Sequence, residues 1–378
     1  MGANKKMKTI ALGLIAMLLL AACIQVVEET GQVVKATEPV KIGVSLPLTG
    51  EGASLGQQVA DGVNAAVKEI NDAGGINGRQ IKIIFEDDKC ATKDGLTVMT
   101  KLVNIDNVDA LFGPLCSSAG GSGLPVVQQS GTPAIIMGSA PHLTKIGDYI
   151  FRIYPSDAFA GKVMAEYAYN EMGKKSAAVV YVLNDWGKGI HDTFVGRYEE
   201  LGGKIVFDEG VDQEATDLRS VISKVKAAKP EVIILPLYPA GGLIFLKQTS
   251  ELGLNTPILG GDALDTPEIA KSGFTDNLIY LTAHIDTGSG FKQKVKALTG
   301  NEPGFFTPLG YDGVNLFATA MRQVGTDKQA VRDALAKISY PGISSPVIEF
   351  DENGDLKSAV YDLKVVSNGE ATTKAVLK

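Results

Sequence analysis

From Pro39 onward the chain alternates short apolar runs with amphipathic ones, and this rhythm limits the fold more than any other feature. Lys41–Leu48 reads as a strand. Gln57–Asn71 follows with Val59, Val63, Val67 and Ile70 at helical spacing, and Gly74-Gly75 closes it. Strand Ile81–Glu86, helix Thr92–Asn104, strand Ala110–Phe112, helix Gly123–Gln129 and strand Pro133–Met137 continue the series. A second series starts near Ala158 with helix 158–172, strand Ser176–Leu183 and helix 188–201. Strand Lys204–Phe207, helix Leu218–Ala228, strand Val232–Leu237, helix Gly242–Leu252 and strand Pro257–Leu259 complete it. Helices 311–323 and 327–337 and strands 347–350 and 359–366 end the chain. Strand–helix repetition of this kind predicts an α/β fold of parallel, doubly wound sheets. Two series predict two such lobes. No Pro/Gly/Ser linker separates them, so hinge strands at about 154–157 and 282–286 are expected to join 40–156 with 286–354 to 157–285 with 355–378.

About 340 residues follow the opening segment, more than one core usually serves. That segment carries Lys5, Lys6 and Lys8, then an uncharged apolar run from Ile10 to Leu20, then Leu20-Ala21-Ala22-Cys23. A basic start, a short apolar stretch and small residues before a cut describe an export signal over 1–22. The run is shorter than the roughly 20 residues that cross a bilayer. Leu-Ala-Ala-Cys resembles a bacterial lipoprotein box and marks Cys23 for a lipid, where an ordinary export signal would leave it unmodified. Residues 23–39, polar, acidic and without periodicity, read as a tether to the membrane.

Removing those three lysines from 36 basic residues leaves 33 against 43 acidic ones. Such a body lacks the concentrated basic face that nucleic-acid binding requires. With Cys23 set aside, Cys90 and Cys116 remain as a pair able to oxidise outside the cytoplasm, or as two buried thiols. His142, His191 and His284 stand apart from one another and from the cysteines, which argues against a zinc site. No cofactor is expected.

Ligands of doubly wound sheets bind beyond the carboxyl ends of the strands. Gly113-Pro114-Leu115-Cys116-Ser117-Ser118 lies there, and its two hydroxyls either meet a carboxylate or cap the following helix. Gly138-Ser139-Ala140-Pro141 occupies the matching place after the next strand. In the second series Tyr238 follows strand Val232–Leu237. Asp262 follows Gly260-Gly261, where it either balances an ammonium group or turns to solvent.

The ordered set Leu46-Pro47-Leu48-Thr49-Gly50, Ile70-Asn71-Asp72-Ala73-Gly74-Gly75-Ile76-Asn77-Gly78, Asp87-Asp88-Lys89-Cys90, Gly113-Pro114-Leu115-Cys116-Ser117-Ser118 and Phe350-Asp351-Glu352-Asn353-Gly354 resembles the branched-chain amino acid binding proteins of ABC transporters, of the type I periplasmic binding fold. The resemblance implies an exported monomer that is not an enzyme and delivers a small amino acid to a membrane permease. It implies a Cys90–Cys116 bridge and a ligand carboxylate bound by Ser117. Met137 to Ser139 would supply a carbonyl toward the ammonium group and a hydroxyl toward the carboxylate. Tyr238 and Asp262 would close on the ammonium group, Leu55 and Trp186 would surround the side chain, and Tyr311 would lie near the cleft. Trp186 stands where the family often has tyrosine, Asp262 where some relatives have glutamate, and Met137 where a small residue is frequent; these departures bear on side-chain specificity. The same fold could instead take a small aromatic acid, amide or urea-like ligand, or serve as a sensor. Gly52-Ala53-Ser54-Leu55-Gly56 also fits the G-x-S-x-G elbow of serine hydrolases, without an acid and histidine in supporting context.

Overall fold

A computed structural model describes residues 38–285 and 288–377; the export signal, Cys23 and nearly all of the tether lie outside the described residues. The first part runs β1 (Val40–Leu46), α1 (Ala53–Asp72), β2 (Ile81–Asp87), α2 (Thr92–Asn104), β3 (Ala110–Phe112), α3 (Ser117–Gln129), β4 (Ala134–Ile136) and β5 (Ile150–Arg152). Its five strands are all parallel, in the order β2-β1-β3-β4-β5. Both faces are covered, which explains why β3 and β4 are apolar throughout. On β3, Ala110 and Phe112 join one apolar cluster while Leu111 joins the other, with Val98, Met99 and Leu102 of α2.

The second part runs α4 (Asp157–Glu166), β6 (Ser176–Val182), α5 (Asp185–Glu200), β7 (Lys204–Val211), α6 (Arg219–Ala228), β8 (Val232–Leu235), α7 (Pro239–Glu251), β9 (Ile258–Gly260), α8 (Pro267–Ala270) and β10 (Leu278–Ala283). The chain then returns to the first lobe with α9 (Gly288–Thr299) and α10 (Thr307–Val324), both packed on α1, and α11 (Lys328–Leu335). It crosses again to add β11 (Tyr361–Ser367) and β12 (Glu370–Leu377) to the second sheet, ordered β12-β11-β10-β9-β8-β6-β7.

The second sheet is mixed. β11 runs antiparallel to β10 and β12 antiparallel to β11. The hairpin turns at Asn368-Gly369, whose φ angles of 53° and 78° suit the positive-φ turn that matches strand twist. The expected strand over 347–350 is reduced to single bridges, Tyr340 with Ile348 and Phe350 with Leu356. Helix α4 is followed by a π-helical turn, Tyr167–Glu171, within the segment expected as one helix.

The crossing points share a buried node. Arg152, the last residue of β5, is fully buried. Its Nη1 donates to the carbonyls of Gly138 (3.3 Å) and Ala140 (2.8 Å), and its Nε donates to Asp355 Oδ1 at 2.7 Å. The Arg152 N–H donates to the Gly354 carbonyl at 2.7 Å, and Thr144 Oγ1 bonds Asp355 Oδ2. Asp351 shapes this turn by accepting from the N–H groups of Asn353 and Asp355. Asp355→Ala would leave the guanidinium buried without its counter-charge and is expected to lower stability by about 3 kcal/mol in urea unfolding.

Candidate functional site

The carboxyl ends of β3 and β4 in one lobe face those of β8 and β9 in the other, and a pocket lies between them. It holds about 360 Å³ of empty space, its mouth included. Leu55, Ser117, Met137 and Ser139 line it from the first lobe, and Trp186, Tyr238 and Asp262 from the second.

The first-lobe wall is set by the turn after β3. Gly113 has φ +97°, and a Cβ there would stand 2.1 Å from the Ser45 carbonyl oxygen, so only glycine lets this turn press against β1. The Pro114 carbonyl accepts from the N–H groups of Met137 (3.0 Å) and Gly138 (3.1 Å), which ties the two strand-end loops together. Cys116 holds the N-cap position of α3, and no side chain caps the helix. Ser117 therefore opens the helix without capping it; its Oγ accepts from the Ala140 N–H at 3.1 Å. The first N–H groups of a helix lack acceptors within the helix, so this end of α3 favours a carboxylate.

Cys90 and Cys116 lie at disulfide distance, with Cα atoms 5.1 Å apart. Asp88 prepares that meeting: it accepts from Ser45 Oγ (2.7 Å) and from the Cys90 N–H (3.0 Å). Burial nevertheless pushes its carboxyl up to about 6, against the pull of those two bonds.

On the second lobe Asn184 caps α5 by accepting from the Gly187 N–H at 3.0 Å. Helix α5 starts at Asp185, so Trp186 sits in its first turn and is 4% exposed. The Tyr238 ring stacks on the Trp186 indole with centroids 4.9 Å apart and planes 17° apart. Burial raises the Tyr238 phenol above its usual value, which keeps it a neutral donor. Asp262 begins a single 3-10 turn after β9. Burial pushes its carboxyl up to about 6; the Tyr154 hydroxyl and the Ala263 N–H (2.9 Å) pull the other way.

Ser118 and Tyr311 do not line the pocket. Ser118 turns to the facing lobe, where its Oγ accepts from the Asp185 N–H at 3.4 Å. Tyr311 lies on α10, donating to Glu69 Oε2 at 2.5 Å and accepting from Lys294 Nζ at 3.1 Å, so its phenol joins α1, α9 and α10. Tyr154, Phe306, Leu115 and Ala263 also line the pocket and were not foreseen. Tyr154 follows the three-residue strand β5, too short to show a period. Phe306 precedes α10 by one residue, outside any periodic run. The G-x-S-x-G segment forms the start of α1, and of its residues Leu55 reaches the pocket lining while Ser54 does not.

The arrangement puts hydroxyls and helix N–H groups opposite a buried carboxylate, with apolar and aromatic surface between. It suits a small zwitterion with an apolar side chain.

A family described as periplasmic binding protein matches residues 39–370. An amino acid binding protein of Pseudomonas aeruginosa is 31% identical over 337 residues, covering 86% of this chain and 90% of the relative. Among solved structures, the branched-chain amino acid transporter substrate binding protein LivJ of Streptococcus pneumoniae, in complex with isoleucine, is 27% identical with a TM-score of 0.81, over 90% of this chain and 99% of that one. A solute binding protein of an ABC transporter from R. palustris, in complex with benzoate, shares the fold at 20% identity with a TM-score of 0.82, over 89% of this chain and 96% of that one.

Replacing Ser117 by Ala would leave the Ala140 N–H buried without an acceptor. Thermal or urea unfolding is expected to show a loss of about 1–3 kcal/mol.

Proposed function

Since the chain belongs to the periplasmic binding protein family, we propose that it captures a small apolar α-amino acid between its lobes and hands it to an ABC importer. The observation that carries this reading is the pairing of Asp262 with the hydroxyls of Ser117 and Ser139 across one pocket. Each end of a zwitterion then meets its complement, and the Trp186–Tyr238 stack and Leu55 supply apolar surface for the side chain. The two lobes, 40–156 with 286–354 and 157–285 with 355–378, close on the guest by bending at the crossings. Closure removes water, and charge-assisted hydrogen bonds strengthen as the local dielectric falls.

The same reading places the protein outside the cytoplasm, held to a membrane by a lipid on Cys23 and bridged between Cys90 and Cys116. The basic, apolar and small-residue order of the first 23 residues supports the anchor, and the short Cα separation of the two cysteines supports the bridge. Similarity to relatives that bind amino acids supports the ligand class. A benzoate-like guest lacks a cationic group and would leave Asp262 facing it without compensation.

Asp262→Ala is expected to weaken leucine binding by about 2 kcal/mol or more, roughly 30-fold, with the fold intact. Calorimetry with unchanged affinity would sink the assignment. The acidity dependence follows from the same group. Its carboxyl in the empty protein is raised to about 6, so below that pH a proton must leave before the ammonium group is met. Affinity for leucine is therefore expected to hold at pH 7–8 and to fall as pH drops through 6. Titrations at pH 5, 6 and 7.5 check this; a flat profile would remove the carboxylate from the binding event.

A further inference from the structure

Ser118 is not alone in reaching across the gap between the lobes. Its Oγ accepts from the Asp185 N–H at 3.4 Å. One turn farther along α3, Gly121 leaves room for the Asp185 side chain. A Cβ there would stand 2.8 Å from Asp185 Oδ2 and 3.4 Å from His142 Nε2. His142, in the loop after β4, brings that ring nitrogen to 3.9 Å from the same carboxylate oxygen. One turn along α5, a Cβ on Gly189 would meet Pro141 Cδ at 3.5 Å. In the first lobe α3 and the loop after β4 thus press on the first turns of α5 in the second, along a narrow seam.

None of Ser118, Gly121, His142 and Asp185 lines the pocket. Each helix divides consecutive residues between two tasks. On α3 Ser117 faces the pocket and Ser118 the seam; on α5 Trp186 faces the pocket and Asp185 the seam. The seam is wet, since the His142 and Asp185 side chains are 53% and 44% exposed. The Asp185 N–H opens its helix and has no acceptor within it. Ser118 serves that N–H when the lobes are together, and water serves it when they part. Contacts made in only one of two states shift the balance between them without strengthening either lobe.

Resting on the reading of the pocket as an amino-acid site shut by lobe movement, we infer that Asp185, received by Ser118, Gly121 and His142, is a latch that sets how long the cleft stays shut, whatever guest it holds. Pocket residues meet the guest's own groups, so a change there acts on some guests more than on others. The latch touches only protein. A change in it alters the share of time spent closed, and with it the apparent affinity, by one factor for every guest. Docking precedes closure, so the effect falls on release rather than on capture. Gly121 is the point where seam and lobe can be told apart. A leucine suits helix α3 better than glycine does, yet its side chain takes the space that the Asp185 carboxylate holds. A methyl group is met by a turn of that carboxylate; an isobutyl group is not.

Gly121→Leu is therefore expected to keep or raise the melting temperature of the ligand-free protein. It should weaken leucine, isoleucine and valine binding alike, by about tenfold or more. Ser118→Ala, which removes one acceptor from the seam, is expected to speed leucine release about threefold at an unchanged association rate. Stopped-flow emission of Trp186, the chain's single tryptophan, follows both rates. Unchanged affinity in Gly121→Leu, or losses that differ among the three guests by more than about threefold, would overturn the latch. Should that variant fail to fold, Ser118→Ala decides, and release at the original rate overturns the latch. If the unaltered protein binds the guests and both variants match it, the latch falls and the pocket reading stands. If the unaltered protein binds none of them, both fall.

Discussion

A guanidinium with no access to water organises the region where the lobes meet. Burying a charge is expensive unless every donor finds an acceptor and the charge finds its counterpart. Arg152 finds its counter-charge in Asp355, which accepts from Nε, and its Nη1 donates to the carbonyls of Gly138 and Ala140. Those carbonyls belong to the loop that carries Ser139, and Asp355 belongs to the last crossing between lobes. The charge thus fixes the loop that lines the pocket to a segment that crosses between the lobes. Ser139 owes its place in the pocket wall to this anchor as much as to β4.

The chemistry of the cleft follows from where charge is left uncompensated. On the first lobe, strand ends and the start of α3 present the hydroxyls of Ser117 and Ser139 and the first N–H groups of a helix. On the second, Asp262 and the Trp186–Tyr238 stack present one acid beside broad apolar surface. Proteins of this fold accept guests of quite different chemistry, as isoleucine and benzoate in two of its structural relatives show. The fold supplies the gap, and the residues at the strand ends decide what fills it.

Much of this was legible in the sequence, for identifiable reasons. Residues 92–104 have the expected bounds because their helical periodicity ends at Asn104, and 110–112 because the apolar run stops at Gly113. Ser117, Ser139, Tyr238 and Asp262 come together because each follows a strand's carboxyl end, a place that the topology makes adjacent; Leu55, Met137 and Trp186 came from the resemblance and line the same pocket. Strand β5 was not legible, although a crossing at about 154–157 was expected. Three residues carry no period, so Arg152, Tyr154 and Asp157 gave no sign that they meet in space. The Asn368-Gly369 turn was a local signal for the closing hairpin, yet the strand after it, Glu370–Leu377, is too polar to stand out. Tyr311 came from resemblance and Ser118 from its place beside Ser117, and local geometry sends them elsewhere: one into a triad with Glu69 and Lys294, the other across the gap.

The placement of Ser118 has a mechanical consequence. Ser117 and Ser118 are consecutive in the first turn of α3, separated by about 100° around the helix axis. One reaches the pocket wall and the other takes an N–H from the first turn of α5. A displacement of that turn would therefore act on the pocket wall and on the contact to α5 together. Wall and contact share one turn of helix.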